Sequence, residues 1–223
     1  MKLIQKTSDK IIFSEKINYS LANAIRRFVN EIPTLAIDEV EIIRNDSALY
    51  DETLAHRIAL VPLKQIKSKK EAVLKLQVKK EGTIHSSEIK GELEPVYPNI
   101  PLVILNKGQE IEMICYARLG KGKEHAKFSP GVIFYREEVE MKDARGEKID
   151  EKYIAKQGEI DRYKTDLVDE YAESKEKGNI KIIPRGDLII EVESFGQLKP
   201  EEIFTKSVEA LRDNLQEVVK DLK

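Results

Sequence analysis

The final stretch of the chain, KPEEIFTKSVEALRDNLQEVVKDLK, constrains the fold more than any other. Phe204, Val208, Leu211, Leu215, Val218 and Leu222 step by four, three, four, three and four residues. That spacing keeps all six on one stripe of an α-helix, as a heptad-like seam. Pro200 suits a first-turn position, where its missing amide costs nothing, and Glu201 and Glu202 beside it favour the positive end of the helix dipole. A seam of this kind has to be covered by a core or by a partner helix.

A second helix opens the chain in SLANAIRRFVNEIPTLAIDEV. Leu21, Ile25, Phe28, Val29 and Ile32 follow a 3.6-residue period. Asn18 or Ser20 can cap its start, and Pro33 ends it by disfavouring a helical Ile32. Before it, KLIQKTSDKIIFSEK reads as a β-hairpin around TSDK; after it, LAIDEVEIIRN alternates as a strand. SALYDETLAHRIALVPL holds a short helix, about 51 to 59, with acids in its first turn and His56 and Arg57 late. From about 64 to 140 the pattern is strand-like, interrupted by the Gly/Lys-rich loop LGKGKEHAKFSPG. Residues 142 to 178 are charge-dense with few large apolar side chains, which predicts solvated helices or loops. DLIIEVESFGQL returns to strand. This order predicts an α+β fold: residues 1–48 and 186–223 form one discontinuous domain, and 49–185 form a mostly-β domain inserted into it.

Composition narrows the function. Hydrophobic residues make up 41% and charged residues 35%, yet the net charge is only -2. A direct nucleic-acid binder would be expected to be strongly basic, and this chain is not. The one cysteine, Cys115, rules out an intrachain disulfide framework and suits a reducing cytoplasm. No apolar run approaches the roughly 20 residues of a membrane span, and the N-terminus lacks a signal-peptide core. Absent Trp, few Cys and abundant Lys and Glu point weakly to a thermophile. No GxSxG, P-loop, GxGxxG or HExxH is present, so no catalytic or metal site is expected. His56, His85 and His125 read as surface or structural residues, and Cys115 as a buried small hydrophobe.

The polar face of the opening helix is less ordinary. Asn23, Arg27 and Asn30 share a face, with Arg26 next to it. The helix carries a single acid, Glu31, so internal pairing cannot account for both arginines. Arginine forks suit carboxylates or backbone carbonyls of a docked protein, and a solvated face is the competing reading.

SLANAIRRFVNEIPTLAIDEVEIIRNDSALYDETLAHRIALVPL resembles the signature of the D-subunit family of archaeal DNA-directed RNA polymerases. This family is related to the third-largest eukaryotic polymerase subunit and to the bacterial alpha subunit. ARLGKGKEHAKFSPGVIFYR and EVESFGQLKPEEIF extend the resemblance towards the C-terminal helix, while 64–90 and 142–186 match only loosely.

The resemblance implies a non-catalytic assembly platform. Its discontinuous, alpha-subunit-like dimerisation domain would pair with the small subunit L, be joined by subunits N and P, and nucleate assembly of the large catalytic subunits. DNA would be met only through the assembled enzyme. Leu21, Ile25, Phe28, Phe204, Val208, Leu211, Leu215 and Val218 would build the interface with L. Asn23, Arg26, Arg27, His56, Arg57, Lys121, Lys123 and His125 would meet the large subunits. Some members bind iron–sulfur clusters through cysteines in the inserted domain. This chain has none between Glu137 and Pro184, so no cluster and no metal are expected. A free-standing homodimeric adaptor of the same fold is the alternative, distinguished by pairing without L.

Overall fold

A computed structural model describes residues 1–66, 69–143 and 180–222. The predicted region 142–178 lies almost wholly outside them. The described elements form two layered units, each with its own core.

The first unit is a four-stranded antiparallel sheet in the order β1-β2-β10-β9, covered on one face by two helices. β1 (Lys2–Lys6) and β2 (Lys10–Glu15) are the expected hairpin. Its turn is tied by Thr7, whose hydroxyl donates to the Asp9 carboxylate at 2.7 Å. β9 (Gly131–Asp143) and β10 (Ile180–Ser194) complete the sheet. The covering helices are α1 (Tyr19–Phe28) and α3 (Pro200–Asp221). Their shared core holds Phe13, Ile25, Val29, Ile32, Ile190, Val192 and Ile203.

α1 is capped as expected by Asn18, whose side chain accepts from the Leu21 amide at 2.8 Å. It stops one turn earlier than its apolar stripe suggests. A 3-10 turn, Val29–Glu31, tightens the end before Ile32 becomes extended ahead of Pro33. The buried side is therefore Ala22, Ile25, Val29 and Ile32, and Leu21 is 43% exposed.

The second unit holds a four-stranded antiparallel sheet, β3-β8-β4-β6, beside a two-stranded β5-β7 ribbon. Its strands are β3 (Thr34–Asn45), β4 (Glu71–Val78), β5 (Gly82–His85), β6 (Ile89–Gly91), β7 (Pro101–Leu105) and β8 (Ile111–Gly120). α2 (Asp51–Ala59) has the predicted bounds and inserts Leu54 and Ile58 into this core. Cys115 is fully buried there among apolar side chains, and desolvation pushes its thiol up to about 11.

These pairings divide the chain differently from boundaries at 48 and 186. β3 precedes residue 48 but hydrogen-bonds with β8 of the second unit. β9 lies within 49–185 but hydrogen-bonds with β10 of the first. Strand partners are chosen by long-range register, which a local pattern does not carry.

Candidate protein interface

The two surfaces expected from the sequence come from different elements. The first is α3. At 22 residues it is about 33 Å long, but its fully buried residues, Pro200, Ile203 and Ser207, lie in the first two turns. Ser207 sits in the core without an unpaired hydroxyl, because its Oγ donates to the Ile203 carbonyl at 2.8 Å. From Arg212 to Leu222 every residue is exposed.

The seam read from the sequence is therefore divided. Phe204 turns inward and meets the Phe13 ring edge-on at 5.0 Å, and Leu211 packs on the same core. Val208 (39% exposed), Leu215 (55%) and Val218 (49%) face solvent, together with Val219. Val208, Leu211, Leu215 and Val219 line one open groove along the helix. Ile203 is the core residue that heptad counting missed. Its spacing of four to Ser207 and then Leu211 marks the inward stripe, but a serine in the middle hides it. On α1, Ile25 is only 5% exposed and lies within the core, while Leu21 is 43% exposed and Phe28 is half-buried.

The second surface comprises α1, the 3-10 turn that follows it and the loop after β8 docked on that turn. Arg26 and Arg27 are exposed, and Arg26 bonds locally through Nε (3.3 Å) and Nη2 (2.9 Å) to the half-buried Asn23 Oδ1. Neither arginine forms an ion pair among the described residues. Glu31 cannot serve them, because it is taken by Lys121 at 3.0 Å and Lys123 at 3.6 Å. The Lys121 ammonium, foremost, holds the Glu31 carboxyl below its ordinary range. The Lys123 amide donates to the Asn30 carbonyl at 3.1 Å. Gly122 allows this approach, since a Cβ there would stand 2.6 Å from Asn30 Oδ1. Ser129 Oγ donates to the same Asn30 oxygen at 3.2 Å.

The loop is also fixed to β3. Asp38 accepts from Lys127 Nζ and from Arg118 Nε, both at 2.6 Å. Both cations also lie over the buried Phe128 ring, 5.2 Å and 5.0 Å from its centroid. The Lys127 ammonium first, and Arg118 after it, keep the Asp38 carboxyl below the usual carboxylate range. Asp38 is thus salt-bridged on both sides. A lysine- and glycine-rich loop that could be read as a phosphate cradle is held in place by carboxylates, an asparagine and an aromatic ring.

His125 is exposed, and its Nδ1 accepts from the Lys127 amide at 3.1 Å. His56 is also exposed, and Arg57 donates through Nη2 to the Pro101 carbonyl at 2.7 Å. These two sit on α2, which packs on β3 and β7. The fold therefore brings the 121–125 loop to the 3-10 turn that ends α1, whereas α2 packs elsewhere. Among the described residues no group of three or more His, Cys, Asp or Glu is arranged to hold a metal ion.

Comparison with known proteins bears on the whole arrangement. Residues 29–134 match the model of the RNA polymerase Rpb3/RpoA insert domain. The DNA-directed RNA polymerase subunit Rpo3 of Pyrococcus horikoshii is 41% identical, over 61% of this chain and 58% of the relative. That of Thermococcus kodakarensis is 33% identical, over 99% of this chain and 96% of the relative. The chain belongs to the archaeal Rpo3 family of DNA-directed RNA polymerase subunits. The family's member from Methanocaldococcus jannaschii is 42% identical over 71% of its length. The match to the insert domain begins at Val29 and ends at Phe134, so it contains all of β3 through β8 and enters β9. It thus agrees with the strand pairing in giving β3 to the second unit. In this Rpo3-family chain the single cysteine is a buried core residue, and no described helix is long and apolar enough to cross a membrane.

Proposed function

We propose that this polymerase subunit is a non-catalytic assembly platform that pairs with small subunit L and, with subunits N and P, nucleates assembly of the large catalytic subunits in the cytoplasm. The observation that carries this reading is the uncovered seam of α3. Val208, Leu215 and Val218 stand in solvent on a helix whose fully buried residues all lie near its start. Aliphatic side chains at this spacing gain stability by packing against a second helix.

The sheet β1-β2-β10-β9 with α1 and α3 is then the dimerisation unit, with Leu21, Ile25, Phe28, Phe204 and Leu211 shaping or supporting the face offered to L. Arg26, Arg27, Asn23, Lys121, Lys123 and His125 form a surface for a large subunit, and His56 and Arg57 a second contact on α2. DNA is met only through the assembled enzyme, and one cysteine cannot ligate an iron–sulfur cluster.

Light scattering on the purified chain, alone and after co-expression with subunit L, tests the reading. A one-to-one heterodimer is expected. A stable homodimer that ignores L would replace the platform with a homodimeric adaptor.

A further inference from the structure

The sheet of the second unit has one face on its core and one face bare. β4 shows this most simply, with Ala72, Leu74, Leu76 and Val78 buried and Glu71, Val73, Lys75 and Gln77 exposed. A solvated face of an antiparallel sheet is ordinary when its side chains are polar. Here the middle of the face is not. Val73 and Tyr116 are register partners on neighbouring strands, 45% and 40% exposed, and Ile114 follows two residues from Tyr116 on the same side. They make one small apolar cluster on the two central strands, rather than scattered single residues.

Charge around the cluster is polarised. On the β3 side, Glu39 is the register partner of Tyr116, and Glu41 of Ile114. Glu41 accepts the Tyr116 hydroxyl at 3.1 Å, and neither glutamate has an ion-pair partner among the described residues. The nearby cations are engaged elsewhere: Lys75 with Glu112 at 2.7 Å, and Arg118 with Asp38 and Glu124. Lys90, across from Lys75, is the exposed cation of the far edge, on β6.

From this geometry we infer that the outer face of β3-β8-β4 is a docking surface for a lysine- or arginine-bearing segment of another polymerase subunit. The segment covers Val73, Ile114 and Tyr116 with apolar atoms and presents its cations to Glu39 and Glu41. This rests on the chain working within a multi-subunit assembly, and it concerns a face distinct from both α3 and the arginines of α1. Nucleic acid does not fit, because the two unpaired carboxylates would repel phosphate.

A photo-crosslinking benzoylphenylalanine placed at Val73, in the full chain mixed with the purified polymerase subunits, tests it. The expected result is a crosslink to a basic segment of another subunit, located by mass spectrometry. Its yield should fall with salt, and by about tenfold or more when Glu39→Lys and Glu41→Lys are combined. Absence of a crosslink, a crosslink to a second copy of the chain, or a yield indifferent to charge reversal would each overturn the inference. Light scattering on the same mixtures reads pairing with L separately. Lost pairing with a retained crosslink counts against the platform alone, and a lost crosslink with retained pairing counts against the docking face alone.

Discussion

Asp38 shows how much one side chain can hold. It receives two charge-assisted hydrogen bonds, and the Lys127 side chain that donates one of them is only 10% exposed. Asp38→Ala leaves that ammonium without its anion, and about 2 kcal/mol of stability should be lost in urea unfolding. The pH dependence has a definite sign. The folded-state carboxyl sits below its unfolded value, so its contribution is complete above the ordinary carboxylate range and is lost as pH falls through the lowered folded value. The wild-type chain should therefore lose more stability than Asp38→Ala between about pH 5 and about pH 2. Equal acid limbs would show that Asp38 is not part of the linkage. Cys115 offers a complementary probe. With its thiol pushed up to about 11, only about a thousandth is thiolate near pH 8, and the sulfur is buried as well. Labelling by a thiol reagent should track global unfolding and reach one equivalent in denaturant; rapid labelling of the native chain would contradict the core placement.

At the scale of elements, α3 separates residues that the sequence had grouped. Leu215 is 55% exposed, so Leu215→Asp should change the isolated chain's stability by no more than about 0.5 kcal/mol while abolishing pairing with L. Leu211 packs on the core, so Leu211→Asp should cost about 2 kcal/mol as well as pairing. Thermal unfolding and co-elution distinguish the two, and co-elution unchanged in both would remove α3 from the interface. On α1, reversing Arg26 and Arg27 to Glu should spare pairing with L and block recruitment of a large subunit; loss of pairing would put the arginines at the wrong surface. The hairpin, the Asn18 cap and the bounds of α2 were legible because turn residues, caps and dipole charges act within a few positions. The shortened end of α1 and the inward role of Ile203 were not, because both depend on what the helix packs against.

At the scale of the whole molecule, the chain leaves the first unit after Ile32 and returns to it at Gly131, and the two cores stay apart. The clamp of Asn30, Asp38, Lys127 and Phe128 sits where β8 hands the chain back to β9. Asp143 and Ile180 are direct register partners in the β9–β10 ladder. Replacing 144–179 with a two-residue Asn-Gly turn should close a continuous hairpin there and leave pairing with L intact by light scattering. A chain that no longer folds or pairs would show that the replaced segment supports the core. The amino-acid sequence alone determined the helical periods, the hairpin, the mixed α+β character, the lack of thiol ligands and the family resemblance, since all of these are written in local spacing and composition. Only the tertiary structure decided that β3 and β9 exchange units, which residues of the α3 seam remain uncovered, and that Glu31 is spent on the loop lysines and not on the arginines. Those outcomes depend on which distant strands find register and which side chains compete for one carboxylate, and neither is encoded in any single stretch of the chain.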